Sequence, residues 1–494
     1  MTAKAREAVL ALDQGSSSSR VLAFDASGRV LARAQRPARL SRPRDGWAEH
    51  DPLALAKGLE SALDEVLARL PRSVEVVGAG LACQRSTVVF CERDSFKPAA
   101  PAPSWMDGRA AEVVARLEHL RAEVHGRTGL YLTPYYSAPK IRWFLDRDRR
   151  VRALAEAGRL LAAPLSTYLI ARLTRGAVVA ADPTLAQRTL LMGADSLSWD
   201  EDMLRVFRLA RELLPEIRPT AGAWGEIDRG GRRIPLLACV GDQQAAALGL
   251  GARAEGSAVT NFGTGAFLLV NAGADARRIP GLLTTVGWQI GGSAPVFLQE
   301  GTVHAAGTSF EWLADLGLMK DPTRIDEAFR RSRARVLALP AIGGLGAPRW
   351  DYRTKTAWFG LTSQTRPADL VRATAEGLCF LLADIAAAMR GGGVEFPSAR
   401  IAGGLSRAAA MMAFSADLLG VPLERRRETE ATALGAASLA AAAAGRPWAE
   451  AMTEAPVERT FRPRMPRAEA ERRRADWTRF VDAQAALSRA VSLS

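Results

Sequence analysis

One local pattern occurs twice in this chain and limits the folds that it can adopt. An apolar segment, Ala8 to Asp13, leads into a turn rich in Ser and Gly and then into a second apolar segment, Arg20 to Asp25. The same order returns in Ser257 to Asn261, the turn Gly263-Thr264-Gly265, and Ala266 to Asn271. A repeated unit of this size predicts two related domains with a ligand cleft between them. Two unrelated hairpins remain the alternative, because such hairpins are common.

The residues after the first copy predict an α/β fold. Val30 to Ala34 continues the meander as a third strand, and Asp51 followed by Pro52 is typical of a helix N-terminus. Leucines at helical spacing follow, and Val74 to Cys83 is an apolar strand. Helices and strands alternate again after residue 366. This order indicates an α/β class, with the boundary between its two domains near residues 249–255.

We therefore predict an N-terminal domain over residues 1–250 and a C-terminal domain over residues 251–494. The first would carry the first turn, and the second would carry the second turn. The Arg-rich tail from Glu458 onward is expected to cover the surface.

Composition excludes several classes of protein. An apolar content of 48% over 494 residues is ample for large cores, so disorder is excluded as the main state. The formal net charge is +13, but only six of the 66 basic residues are Lys and the other 60 are Arg. The basic runs are interleaved with acidic or apolar residues, which favours solvated helix faces and no nucleic-acid partner. A polyanion-binding protein stays open on charge alone.

The sequence also bears on cellular location and on metal content. The longest small-apolar run, Ala433 to Ala444, is too short to span a membrane, and the N-terminus lacks the apolar core of a secretory signal. We therefore expect a cytoplasmic protein with no membrane partner. Four scattered cysteines and four unclustered histidines give no transition-metal spacing.

The two turns are candidate phosphate sites. Asp13 ends the first strand before Ser16 and Ser17, so backbone N–H groups and hydroxyls could cradle a phosphate while Asp13 helps to hold Mg²⁺. Thr264, in the second turn, is a matching candidate for the same triphosphate. Either turn alone could be a plain hairpin.

Two further strand ends carry reactive side chains. Asp242 follows the apolar strand Ile234 to Val240 and precedes an Ala-rich helix, where it could accept a proton or serve only as an N-cap. Arg85 follows Cys83 and Gln84, where its guanidinium could bind hydroxyls or form a structural ion pair.

Loop residues complete the candidate site. Trp105 and Tyr135 lie in Pro-containing loops and could form an apolar wall, although either could belong to a core. Gly403-Gly404 lies between a strand and a helix, where it would let a nucleoside approach the backbone or simply permit close packing.

Taken together, these motifs make the chain resemble the FGGY carbohydrate kinases, and within them it is most similar to the glycerol kinases. The resemblance runs from Ala11 to about Arg464, with the motifs in order. They are Leu12 to Arg20, Gly46 to Pro52, Gln84-Arg85, Tyr135-Tyr136 with Lys140 to Trp143, Gly241 to Ala246, Asn261 to Gly265, Gly344 to Pro348 with Trp350-Asp351, and Thr432 to Ala437.

The resemblance implies two actin-like (ribonuclease H-like) domains that close on ATP and a polyol or sugar, with ATP and Mg²⁺ as cofactors. It makes the N-terminal domain (residues 1–250) the substrate-binding one and the C-terminal domain (residues 251–494) the nucleotide-binding one. It makes Asp242 the general base and gives Asp13 and Asp242 to the metal. The positions that match substrate contacts are Arg85, Ser86, Trp105, Tyr135, Asp242, Gln243 and Phe267. Those that match ATP contacts are Ser16, Ser17, Arg20, Thr264, Gly307, Glu311 and Gly404.

Four departures from the family pattern bear on specificity. Ser86 stands where glycerol kinases have a Glu that binds a substrate hydroxyl. Ala402, Ala408 and Glu311 replace a usual Asp, Asn and Gln near the nucleotide, which affects the expected base preference. Residues 230–233 form a shorter loop than the one at which some glycerol kinases bind a regulatory sugar bisphosphate.

The resemblance implies phosphorylation of a terminal hydroxyl of a small polyol or sugar. Glycerol is the first candidate, and a C4–C5 polyol or ketose is the second because of Ser86. A degenerate kinase that acts as a regulatory or scaffold protein is an alternative of another class, and the intact Asp13, Asp242 and turns argue against it. A homodimer or homotetramer is expected.

Overall fold

Strands of the chain form two large sheets and several short pairs. The computed structural model describes residues 6–321, 323–333, 335–427 and 430–491. The strands are β1 (Arg6–Gln14), β2 (Ser18–Phe24), β3 (Val30–Pro37), β4 (Glu49–His50), β5 (Val74–Cys83), β6 (Val88–Glu92), β7 (Ala102–Pro103), β8 (Leu160–Pro164), β9 (Ala180–Ala181), β10 (Glu216–Ile217), β11 (Glu226–Arg229), β12 (Arg232–Gly241), β13 (Ala258–Phe262), β14 (Ala266–Asn271), β15 (Leu283–Trp288), β16 (Val296–Val303), β17 (Leu337–Leu339), β18 (Ala357–Phe359), β19 (Ala399–Ala402), β20 (Leu423–Arg426) and β21 (Val457–Phe461).

Helices cover the two sheets and fill the space between them. They are α1 (Pro52–Arg69), α2 (Ala111–Arg116), α3 (Arg121–Thr128), α4 (Ser137–Arg147), α5 (Arg149–Glu156), α6 (Leu165–Leu173), α7 (Pro183–Ala186), α8 (Glu201–Phe207), α9 (Asp242–Gly249), α10 (Gly307–Asp315), α11 (Ile325–Arg331), α12 (Pro367–Gly391), α13 (Ala409–Leu419), α14 (Ala431–Ala443) and α15 (Arg467–Ala490).

The two large sheets have matching strand orders. The first runs β11-β12-β5-β1-β2-β3, and the second runs β15-β16-β14-β13-β19-β20-β21. In each sheet an antiparallel hairpin, β1–β2 or β13–β14, pairs through its first strand with a parallel strand, β5 or β19. A second parallel strand and an antiparallel edge strand follow on that side, so the second sheet repeats the first and adds β15. The strand orders thus confirm the predicted fold of two related α/β domains.

The predicted elements agree closely with the observed ones. Val74–Cys83 and Ala266–Asn271 have the predicted bounds, and the two strands of the first predicted hairpin begin two residues earlier, at Arg6 and Ser18. Asp51 caps α1 by accepting a hydrogen bond from the amide of Leu53. These agreements follow from alternation of apolar residues and from cap chemistry, which act locally.

The C-terminal tail differs from the prediction of a simple surface cover. β21 joins the edge of the second sheet, and Trp477 of α15 is fully buried and stacks on Phe380 of α12. One face of this Arg-rich helix therefore belongs to the core of the C-terminal half, while its arginines occupy the other positions.

Helices α9 and α14 lie side by side between the two sheets. Their small residues join a buried cluster that also contains Val9 and Ala11 of the first sheet and Val259 and Leu269 of the second. A Cβ atom at Gly435 would lie 2.7 Å from the carbonyl carbon of Ala245, so the two helices can touch only because this residue is Gly. Although α14 follows residue 251 in the chain, it packs on β1, β5 and β12. The division of the chain at residue 250 stays a prediction.

In the described ranges, none of the helices combines the length and the apolar character that a transmembrane span requires.

Candidate active site

The carboxyl ends of three parallel strands meet at one edge of the first sheet. In the pairing register, Gln14 of β1 and Gly241 of β12 both lie opposite Cys83 of β5. This register brings Asp13, Arg85 and Asp242 to the same edge, although they are far apart in the chain. Clefts at such strand ends are the usual location of ligand sites in α/β folds.

Asp242 is the first residue of α9, and Gly241 is the N-cap. The alternative in which Asp242 serves only as an N-cap is therefore wrong, although its Oδ1 does accept a 2.8 Å hydrogen bond from the amide of Gln243. The amide of Gly241 donates to Thr184 Oγ1 at 2.7 Å, which fixes the backbone just before the carboxylate. Burial raises the pKa of Asp242 to about 6, against the lowering effect of Arg85. This value suits a group that accepts a proton near neutral pH.

Arg85 lies between two carboxylates. Its Nε is 3.7 Å from Asp242 Oδ1, and its terminal nitrogens donate to the two oxygens of Glu300 at 3.1 and 3.3 Å. The sequence left open whether Arg85 is a substrate ligand or a structural ion pair, and the ion pair with Glu300 is present. The Nε edge still faces the carboxylate of Asp242, so the same side chain lies next to the candidate base.

Glu300 belongs to the ion-pair network of this site and was not among the residues predicted from the sequence. It is buried on β16 and also accepts a hydrogen bond from Arg188, whose other terminal nitrogen donates to the hydroxyl of Tyr136 at 3.4 Å. Burial alone would raise the pKa of Glu300, but Arg188 and Arg85 outweigh burial and lower that pKa to about 2. An acidic residue inside the apolar strand Val296–Val303 was the available signal.

Asp13 is held by Arg20 across the first hairpin. Arg20 donates to Asp13 Oδ2 through Nε at 3.1 Å and through Nη2, and it donates through Nη1 to Glu430 at 2.8 Å. Burial raises the pKa of Asp13, and Arg20 opposes this rise. Asp13 Oδ1 and Asp242 Oδ2 accept no hydrogen bond from the described residues. Each carboxylate therefore keeps one oxygen that can face a cation or its water.

The first turn contacts the wall of the site directly. The indole Nε1 of Trp105 donates to Ser16 Oγ at 2.8 Å, and Ser16 Oγ donates to Gln84 Oε1 at 3.3 Å. Ser17, at the tip of the turn, is exposed. The hydroxyl of Ser16 is thus oriented by the same residue that was predicted to line the substrate pocket.

Trp105 and Tyr135 are not core residues. Their exposed fractions are 44% and 43%, which is high for large aromatic side chains and fits residues that line an open cleft. Ser86 is buried with φ at +62°, and its Oγ makes no hydrogen bond to any residue in the described ranges. Gln243 and Phe267 are half-buried, Gln243 next to Asp242 on α9 and Phe267 on β14.

The second turn gathers the predicted ATP residues of the C-terminal half. Thr264 is exposed at the tip, and the amides of Ala306 and Gly307 donate to the carbonyls of Thr264 and Gly263 at 2.8 and 2.9 Å. A Cβ atom at Gly307 would lie 2.8 Å from the carbonyl oxygen of Gly263, so Gly is required where α10 begins.

The other two predicted ATP residues lie around the same turn. The strands β13 and β19 end side by side, with Asn261 opposite Ala402, which brings Gly404 next to the second turn. Gly404 is exposed with open space beside its Cα, and Glu311 is exposed one turn into α10. The two turns thus sit at the ends of corresponding strands, as the repeat in the sequence predicted.

Comparison with known families identifies the class of protein that carries this arrangement. The models for the N-terminal and C-terminal domains of the FGGY family of carbohydrate kinases match residues 8–249 and 258–444. The chain belongs to this family. It is therefore an enzyme, an ATP-dependent phosphotransferase with an alcohol group as acceptor.

Individual relatives narrow the resemblance to one branch. The chain is 40% identical over 489 residues to a glycerol kinase from Thermus brockianus, covering 96% of this chain and 98% of the relative. It is 37% identical to a glycerol kinase from Citrifermentans bemidjiense, with the same coverage.

Solved structures agree with this placement. A crystal structure of Plasmodium falciparum glycerol kinase with ADP superposes with a TM-score of 0.91 at 28% identity, covering 97% of this chain and 98% of that one. Gluconate kinase from Lactobacillus acidophilus has a TM-score of 0.86 at 19% identity, covers 99% of both chains, and shares the fold.

Proposed function

We propose that this enzyme transfers the terminal phosphoryl group of ATP to a terminal hydroxyl of glycerol, with Asp242 as the general base. The observation that carries the proposal is the half-buried carboxylate of Asp242, 3.7 Å from Arg85 at the strand ends. The names of the glycerol kinase relatives support glycerol as the substrate.

In the proposed reaction Asp242 accepts the proton of the substrate hydroxyl as its oxygen attacks the γ-phosphorus. The bond from that phosphorus to the bridging oxygen of ADP breaks, and ADP leaves with the electron pair. The turns at Ser16 and Thr264 contact the phosphates, and closure of the two halves excludes water that would otherwise accept the phosphoryl group. Little covalent chemistry is required of the protein beyond positioning and charge stabilisation.

The donor set around Asp13 and Asp242 fits Mg²⁺. The described residues contain no cluster of three His, Cys, Asp or Glu side chains that could enclose a metal. Mg²⁺ does not require one, because it binds one or two carboxylates together with phosphate oxygens and water. Asp13 Oδ1 and Asp242 Oδ2 are available for this role. When bound with ATP, the ion would neutralise phosphate charge.

The remaining candidate residues would hold the substrate and the nucleotide. Arg85, Ser86, Trp105, Tyr135, Gln243 and Phe267 would surround the polyol. Ser16, Ser17, Arg20, Thr264, Gly307, Glu311 and Gly404 would surround ATP. We further propose a cytoplasmic homodimer or homotetramer, on the strength of the resemblance alone.

A larger substrate is the second candidate, and one observation favours it. Ser86 is shorter than the Glu that the family pattern has at this position, and its hydroxyl has no partner among the described residues. A C4–C5 polyol or ketose could extend toward this hydroxyl.

A panel of substrates separates these proposals. Purified enzyme with Mg²⁺ and ATP is supplied with glycerol, with C4 and C5 polyols, or with ketoses, and ADP release is followed by a coupled assay. Glycerol should give the highest kcat/KM under the first proposal. A C4–C5 substrate should do so under the second. An enzyme that releases no ADP with any of them would contradict both.

A further inference from the structure

One residue of the motifs that carry the family resemblance, Lys140, has no role in the reaction described so far. Lys140 lies in the second turn of α4 and is completely buried, with an exposed fraction of 0%. The other described lysines, at positions 57, 97, 320 and 355, are exposed. Of the lysines in the described ranges, only Lys140 is buried, and it lies in the half of the chain that carries the proposed substrate site.

The ammonium group of Lys140 connects two turns of that site. Its Nζ donates to the carbonyl of Ser86 at 2.8 Å and to the carbonyl of Ser104 at 2.8 Å. Ser86 follows Arg85, and Ser104 precedes Trp105. Helix α4, which supplies the lysine, begins two residues after Tyr135. The three segments that carry the walls of the proposed substrate site are thus joined at one nitrogen atom.

The backbone at Ser86 needs such support. Its φ of +62° lies in the left-handed region, which residues other than Gly rarely adopt. Ser137 Oγ donates a second hydrogen bond to the same carbonyl at 3.4 Å. A conformation of this kind persists only when the surrounding contacts determine it, and here both contacts come from α4.

The choice of Lys at this position is informative because the chain otherwise avoids Lys. Arg outnumbers Lys by 60 to six, yet the buried cation is a Lys. A compact ammonium can donate to two carbonyl oxygens in different directions, whereas a planar guanidinium needs more room and presents a fixed fork.

The charge itself is expensive to bury. No carboxylate of the described residues forms an ion pair with Lys140, and burial lowers the pKa of its ammonium to about 7 despite the opposing effect of Asp107. A buried cation satisfied only by carbonyl groups destabilises the fold relative to a well-packed apolar residue. A functional role would explain its presence.

We propose that Lys140 is a positioning residue that fixes the Ser86 and Ser104 turns against α4 and so sets the shape of the substrate pocket. This inference rests on the proposed function for its kinetic consequence. The structural consequence, immobile backbone at the two turns, does not depend on any substrate.

The test uses Lys140→Met, which keeps the length of the side chain and removes the donor, with Lys97→Met as the matched control on an exposed turn. Lys140→Met should let the Ser86 and Ser104 turns shift by up to about one ångström. A shift of this size should lower kcat/KM for the acceptor by roughly 10- to 100-fold. We expect the acceptor KM to rise and the KM for ATP to stay within about twofold, because the two turns contact the acceptor.

Hydrogen exchange measured by mass spectrometry supplies a readout that needs no activity. Peptides that span residues 84–88 and 103–107 should exchange about 10-fold faster in Lys140→Met, through local opening of the two turns, and should not change in Lys97→Met. If the wild-type enzyme phosphorylates no polyol, the proposed function fails, while the exchange experiment still decides the role of Lys140.

Two results would overturn the inference. One is an unchanged acceptor KM in soluble Lys140→Met. The other is a fall in Tm and kcat with unchanged exchange at the two turns, which is the behaviour of a residue that only stabilises the fold. If Lys140→Met does not fold, Lys140→Gln is used, because its amide keeps N–H donors but is one bond shorter and cannot reach both carbonyls from the same backbone position. A rise of roughly 2- to 5-fold in its acceptor KM, the scale of one weakened hydrogen bond, together with faster exchange at the two turns supports the inference, and no change in either quantity contradicts it.

Discussion

Arg85 and Glu300 form a bidentate ion pair that joins the two sheets. The terminal nitrogens of Arg85, just beyond the end of β5 in the first sheet, donate at 3.1 and 3.3 Å to the carboxylate of Glu300 on β16 in the second. Arg188 donates to the same carboxylate from the N-terminal half. The candidate substrate arginine is therefore anchored to the opposite half of the molecule, and its position depends on how the two halves meet.

Loss of the Glu300 charge should destabilise the fold. Glu300→Gln leaves the buried guanidinium of Arg188 without its counter-ion and leaves Arg85 with only Asp242, at 3.7 Å. Breaking a buried ion pair in this way costs about 3–5 kcal/mol of unfolding free energy. The measurement is urea unfolding at pH 7.5. Glu458→Gln, in an exposed pair with Arg425, is the control and should cost less than about 1 kcal/mol.

The pH dependence of this effect has a defined sign. The pKa of Glu300 is lowered to about 2 in the folded protein, so the stability it contributes is present above its unfolded pKa of about 4.3 and is lost as the pH falls toward 2. The difference between wild type and Glu300→Gln should therefore be constant from pH 6 to 8. A difference that disappears within this range would contradict the assignment.

Removal of the candidate base should abolish most of the turnover. Asp242→Asn keeps the size of the side chain but cannot accept the proton, so kcat should fall by about 10²–10⁴-fold while ATP binding stays near normal. Steady-state kinetics and a nucleotide-binding titration measure the two quantities. Asp228→Asn, at an exposed position, should behave as wild type. Full turnover in Asp242→Asn would exclude it as the base.

The same carboxylate should control the acid limb of the pH profile. Burial raises the pKa of Asp242 to about 6, and the group must be ionised to accept a proton. In the wild type, kcat/KM should therefore rise with pH, with a slope of one, up to about pH 6 and level off above it. Profiles from pH 5 to 8.5 test this, and a kcat/KM that shows no midpoint within this range would indicate a solvated carboxylate with an ordinary pKa.

The hydrogen bond from Trp105 to Ser16 predicts coupling between the acceptor wall and the first phosphate turn. Trp105→Phe removes the indole N–H that orients the hydroxyl, and Ser16→Ala removes the hydroxyl. Because the two residues share one hydrogen bond of 2.8 Å, their effects on kcat/KM should be non-additive by about 0.5–1.5 kcal/mol. A double-mutant cycle measures this energy, and additive effects would mean that the bond does not matter during turnover.

Ser86 should determine which acceptor is preferred. A Glu at this position can accept a hydrogen bond from a terminal hydroxyl that the shorter, neutral Ser does not reach. A hydrogen bond to a charged group contributes roughly 1.5–3 kcal/mol, so Ser86→Glu should shift the kcat/KM ratio toward glycerol by about 10- to 150-fold relative to C4–C5 acceptors.

The control for Ser86→Glu is a Glu at a distant exposed Ser. Ser61→Glu, on the outer face of α1, introduces the same charge and should leave the ratio unchanged. If glycerol is already the best acceptor of the wild type, at an efficiency ordinary for a kinase, the larger-substrate proposal is wrong and Ser86→Glu should change little.

The sequence by itself determined the elements and the repeat. Alternating apolar residues, the cap at Asp51 and the turns at Ser16 and Thr264 are local signals, and each acts through neighbours within a few residues. They predicted most strand ends to within about two residues and the end of β3 to within three. The position of Asp242 at a strand end was visible for the same reason.

Only the tertiary structure decided which distant side chains share a site. The ion pair from Arg85 to Glu300 joins residues 215 positions apart, and Lys140 reaches the carbonyls of Ser86 and Ser104 across 54 and 36 positions. No local preference encodes such contacts, because they arise when parallel strands align their carboxyl ends and a helix packs over them. Burial at these contacts then sets the pKa values of Asp242, Glu300 and Lys140, since the cost of a buried charge depends on surroundings that the chain acquires only on folding.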